Sequence, residues 1–85
     1  MTRADSIRKE ILFQAYAVRP LPLSAAKIHR TCKKNQDDFS EIEIARELPF
    51  LVDEKLLRDV PVPGITEKYF VITSDGIRHY EQNFA

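Results

Sequence analysis

Five prolines, at positions 20, 22, 49, 61 and 63, set the outline of this 85-residue chain. Proline lacks a backbone N–H, and its ring fixes φ. It also disfavours helix in the residue before it. Each proline therefore marks a place where a regular element ends, bends or turns. The first pair closes an N-terminal segment, and the last pair sits between two runs of strand composition. Pro49 falls inside a helical pattern, where an interior proline costs about 3 kcal/mol. A kink or break is expected there.

The segments between these marks read as follows. A first helix begins near Asp5 or Ser6, either of which can cap it. Ile7, Ile11, Ala15 and Val18 form its apolar stripe. Leu21-Pro22-Leu23 reads as extended. Ser24 caps a second helix over residues 25 to about 34, with Ala25, Ile28 and Cys32 inward and Lys27, Arg30 and Lys34 outward. A turn at residues 35–38 leads to Ser40, the cap of a third helix. Glu41 and Glu43 suit that helix's positive end. Ile42, Ala45, Leu48 and Val52 are expected on its inner side, with Ile44 and Leu51 flanking. Glu43, Arg46, Glu47 and Phe50 are expected outside. Residues 56–60 and 68–73 read as strands, joined through a type II turn at Pro63-Gly64. Thr73 or Ser74 caps a last helix that buries Ile77, Tyr80 and Phe84.

Thirteen basic and thirteen acidic residues give a formal net charge of zero. Dedicated DNA-binding modules are usually basic, so this balance weighs against a nucleic-acid role. Eighty-five residues read as one domain, which buries only roughly 60–65% of its unfolded surface. No stretch approaches the ~18 apolar residues of a membrane span. The N-terminus has no apolar signal core, and Cys32 is the single cysteine. Both point to a reducing, cytoplasmic setting without an internal disulfide.

The order helix, extended link, helix, helix, hairpin, helix resembles the winged helix-turn-helix domains of bacterial regulators, in particular the MarR-like and PadR-like groups. The stretch Ile72-Thr-Ser-Asp-Gly-Ile-Arg-His-Tyr80 is similar to their pattern opening the helix after the wing. Residues 48–57 are similar to their passage from recognition helix to wing. The resemblance implies an α+β winged helix: a three-helix core, a β-hairpin wing and a short C-terminal helix. It further implies a third helix in the major groove, a wing on phosphate, and a homodimer.

The residues themselves pull two ways. A helix entering the major groove passes two rows of phosphates, so its outer face is basic or neutral polar. Here Arg46 is the only basic residue among Asp37, Asp38, Glu41, Glu43 and Glu47. The second helix is the basic one, with Lys27, Arg30, Lys33 and Lys34, and Arg58 and Lys68 can add charge at the wing. Such a run equally suits a solvated helix face. Phe13 and Ala17 lie opposite the first helix's stripe and are candidates for a protein interface, together with Glu43, Glu47 and Phe50. Phe50 points outward only if the third helix continues past Pro49, and otherwise reads as core.

No catalytic constellation stands out, and no cofactor is implied. His29 and Cys32 share a helical turn, but a zinc site needs three or four ligands. Gly64 and Gly76 are explained by a turn and a helix start, so no phosphate loop exists. Two readings remain: a winged-helix regulator that binds duplex DNA as a homodimer, or a winged helix that contacts a protein partner without DNA.

Overall fold

Thr2 caps the first helix, three residues earlier than the first of the expected caps. In the computed structural model, which describes residues 1–84, α1 runs Arg3–Val18. The Thr2 side chain accepts from the Asp5 amide while the Asp5 carboxylate accepts from the Thr2 amide, a reciprocal capping box. Asp5 therefore serves at the third helical position instead of as the cap. The expected stripe is buried: Ile7, Ile11 and Ala15 fully, Val18 in part.

The chain then forms β1 (Leu23–Ser24), α2 (Ala25–Lys34), α3 (Glu41–Asp53), β2 (Leu57–Val60), β3 (Tyr69–Ile72) and α4 (Ser74–Asn83). Ser24, Ser40 and Thr73 are the caps of α2, α3 and α4, each accepting from an amide three residues on. At Ser40 the Glu43 carboxylate completes a second capping box. Both α2 and α3 end in a left-handed residue, Gln36 and Lys55 respectively. Asp37 N–H donates to Cys32 C=O and Leu56 N–H to Leu51 C=O, closing the two helix ends in the same way.

Of the kink or break expected at Pro49, the break does not occur. α3 stays helical from Glu41 to Asp53 with Pro49 inside it. The proline removes the bond that would reach the Ala45 carbonyl. Ala45 is exposed, so water can take that place. The inner face of α3 is also corrected. Ile44, Leu48 and Leu51 are buried, Val52 is half-buried, and Ile42 and Ala45 are exposed. Ile42 shows 70% of its surface.

The sheet is antiparallel in the order β1-β3-β2. Leu23 pairs with Phe70, and Leu57 with Ile72. The hairpin turns at Pro63-Gly64, where Gly64 has φ +79° and Ile65 N–H donates to Val62 C=O at 3.2 Å. That is the expected type II turn. Inner residues of the sheet meet α1, α2 and α3 in one apolar core centred on Ile11, Ile28, Ile44 and Leu51. α4 closes the other side of α1, with the Tyr16 and Tyr80 rings 4.6 Å apart.

Candidate nucleic-acid interface

Two arginines of α1 decide what α3 shows to the outside. Arg3 Nε donates to Glu43 Oε2 at 2.6 Å, and its Nη2 donates to Oε1 at 3.1 Å. This is a two-pronged pairing that suits the planar guanidinium. Arg3 also reaches the Asp38 carbonyl at 3.1 Å. One turn further along α3, Arg8 Nε donates to Glu47 Oε1 at 2.7 Å. The Arg8 guanidinium lies 3.6 Å above the Phe50 ring. Glu43 and Glu47 are therefore half-buried along α1, which corrects their expected place on the outer side of α3. The Arg3 contact holds the Glu43 carboxyl far below its ordinary value of 4.5, to about 2, with the Ser40 amide as second cause. Nothing in the α3 pattern announces this neutralisation. Its signal is shared between segments: Arg3 and Arg8 lie off the α1 stripe, and Glu43 and Glu47 lie one helical turn apart.

With those carboxylates withdrawn, the outer side of α3 presents Ile42, Ala45, Arg46 and Pro49, with Glu41 and Asp53 at its ends. Phe50 is 40% exposed beneath Arg8. On α2, Lys27, Arg30, Lys33 and Lys34 are all exposed. Lys33 and Lys34 occupy the last turn, where they also complement the helix dipole. Among the described residues, none of these four forms an ion pair, and neither does Arg46, Arg58 or Lys68.

Strand alternation separates the two wing cations. Lys68 lines the groove beside α3, on the side of Phe70. Arg58 pairs with Val71 and so points to the opposite face of the sheet from Asp59 and Phe70. The structure thus places Lys68 with α2 and α3 and leaves Arg58 apart. Ala26, Ala45 and Lys68 border one groove.

Phe13 is 45% exposed and Ala17 is exposed, both on the outer side of α1. The Phe13 ring is partly covered by Tyr80, at 6.2 Å between centroids. His29 and Cys32 do not face a common point. His29 Nδ1 lies 4.0 Å from Glu41 Oε1. Cys32 instead meets Glu10 and Asp37, with one ligand atom from each within 4.8 Å of the others. These are the residues that could hold a metal ion. Burial pushes the Cys32 thiol up, and the two carboxylates push it further. Gln14, buried at the same place, donates to Glu10 at 2.8 Å and to Cys32 Sγ at 3.5 Å.

This arrangement of three packed helices, a two-stranded wing and a closing helix defines a winged helix. The fold is similar to that of GAS PerR-Zn-Zn, at 21% identity and a TM-score of 0.66, over 85% of this chain and 43% of that one. It is likewise similar to PerR from Streptococcus pyogenes, solved in connection with peroxide sensing and gene regulation. There the identity is 19% and the TM-score 0.64, over 85% of this chain and 46% of that one. The chain spans less than half the length of these neighbours, and the likeness at these identities is one of fold. No family model matches the chain, and no curated protein matches it.

Proposed function

We propose that the chain is a winged-helix regulator that binds duplex DNA without catalysing a reaction, acting in the cytoplasm as a homodimer. One observation carries the reading. The seven candidate cations, Lys27, Arg30, Lys33, Lys34, Arg46, Arg58 and Lys68, are exposed and, among the described residues, lack carboxylate partners, whereas Arg3 and Arg8 neutralise Glu43 and Glu47. A chain of zero net charge can in this way hold cations available for phosphate. Five of the seven, Lys27, Arg30, Lys33, Lys34 and Arg46, would serve on the α2–α3 side, with α2 along the DNA backbone and Arg46 at the major groove. Arg58 points away on the other face of the sheet, and Lys68 sits among the carboxylates between α3 and the hairpin. The narrower MarR-like or PadR-like grouping rests on the element order and on the sequence patterns of residues 48–57 and 72–80. The outer side of α1 around Phe13 and Ala17 is the candidate dimer contact.

The test is a titration of labelled duplex DNA read by anisotropy at several salt concentrations. Binding should weaken steeply as salt rises, and each of Arg30→Ala and Arg46→Ala should reduce the salt slope by about 1. Absence of salt-sensitive binding overturns the reading.

A second reading, a protein-contact module, is favoured by a different observation. Four carboxylates, Glu41, Asp53, Asp59 and Glu67, gather between α3 and the hairpin.

A further inference from the structure

A groove of about 510 Å3 runs between α2, α3 and the hairpin. Its floor is apolar, formed by Ala25, Ala45, Pro49, Val52 and Phe70. Glu41, Asp53, Asp59 and Glu67 line its walls, and Lys68 is the only cation there. Among the described residues, Asp53, Asp59 and Glu67 have no ion-pair partner. Glu41 has only the His29 ring, at 4.0 Å. The contrast with the other edge of α3, where Glu43 and Glu47 are each matched by an arginine, is complete.

We infer that this groove docks a basic amphipathic peptide segment of a partner protein. Three features set that chemistry. First, four carboxylates against one ammonium repel a polyanion and attract lysine and arginine. Second, the exposed alanine and proline of the floor leave room for the partner's aliphatic side chains, whose burial supplies the non-directional part of binding. Third, the carboxylates are far apart. Glu41, Ala45, Pro49 and Asp53 follow one another at intervals of four along α3, so Glu41 and Asp53 are separated by about 18 Å. A compact small-molecule cation cannot reach both ends, whereas a helix of about twelve residues can. The opposite wall comes from the sheet. Asp59 is paired with Phe70 across β2 and β3, and Glu67 and Lys68 immediately precede the returning strand. A helix laid along α3 would therefore meet carboxylates on both flanks and apolar surface beneath, the helix-in-groove mode of recognition.

This inference stands apart from the DNA reading, and the same protein samples separate them. The probe is a synthetic peptide of leucine and lysine at helical spacing, about twelve residues long, with a version carrying glutamate for lysine as control. Saturable binding of the lysine peptide to the full chain is expected, and none of the glutamate peptide. Amide shifts on binding should centre on Ala45, Val52 and Phe70. Asp53→Lys and Glu67→Lys change exposed side chains, so circular dichroism should show an unchanged fold. Each should weaken the peptide roughly tenfold. In contrast, Arg30→Glu should weaken duplex DNA and leave the peptide unaffected. The inference is overturned if both charge reversals leave peptide affinity unchanged, or if the shifts map to the outer side of α1. It is also overturned if duplex DNA, and not the peptide, shifts the groove residues.

Discussion

Gly76 has no room for a side chain. A β-carbon there would overlap the Leu56 carbonyl oxygen and come 2.8 Å from Ile72 Cγ1. The crowding arises because the start of α4 is tied to the end of α3: Thr73 N–H donates to Leu56 C=O at 3.1 Å, and Thr73 Oγ1 donates to Lys55 C=O at 2.7 Å. Gly76→Ala should therefore lower stability by roughly 1–3 kcal/mol, read as the midpoint of urea unfolding. An unchanged midpoint would mean that the α3–β2 corner yields freely. Sequence reading found this glycine at a helix start but could not see Leu56 above it. Glu43 gives a second residue-scale outcome. Its pKa falls from 4.5 to about 2 on folding, so the unfolded chain binds its proton more readily. The stabilisation is present above pH 4.5 and drains away as pH falls towards 2. Glu43→Gln should flatten the acid limb of a stability profile across that window. An equally steep limb in the variant would assign the slope elsewhere, with Asp5 the next group whose carboxyl is held low.

At the scale of elements, caps were legible and faces less so. Ser24, Ser40 and Thr73 announce helix starts because a side-chain oxygen three residues before an amide is a local device. The Schellman ends at Gln36 and Lys55 carried no glycine signal, and Gln36 passed as an ordinary turn residue. The inner face of α3 was misplaced for a physical reason. Its apolar residues cover about half of the helix circumference, more than the core can take. Which part is buried is settled by α1, whose arginines claim the Glu43–Glu47 edge and leave Ile42 and Ala45 outside. Pro49 further suggested a break that tertiary packing of Leu48 and Leu51 overrides. Its cost should still be measurable. Pro49→Ala restores a donor for the Ala45 carbonyl and should raise stability by roughly 1–3 kcal/mol in chemical denaturation. A lower midpoint would show that the ring itself is needed in the groove.

Across the whole molecule, a net charge of zero conceals a division of charges. Ion pairs gather on the α1 side of α3, through Arg3, Arg8, Glu43 and Glu47. Among the described residues the lysines and arginine of α2 have no ion-pair partner, and towards the hairpin four carboxylates outnumber Lys68. The winged-helix order was readable from proline placement, strand composition and the pattern after the wing, because these are properties of contiguous residues. The division of charge was not, because each pairing joins positions far apart in sequence. The groove escaped notice for the same reason: Glu41, Asp53, Asp59 and Glu67 come from three separate elements or links.

Arg3 reaches across 40 positions of chain to Glu43, and Arg8 across 39 to Glu47. The first turns of α1 are therefore an electrostatic shield for α3 as well as a packing surface. Replacing both arginines with neutral residues would expose a stripe of bare carboxylates beside Arg46, and the third helix would become more strongly negative without a single alteration in its own sequence.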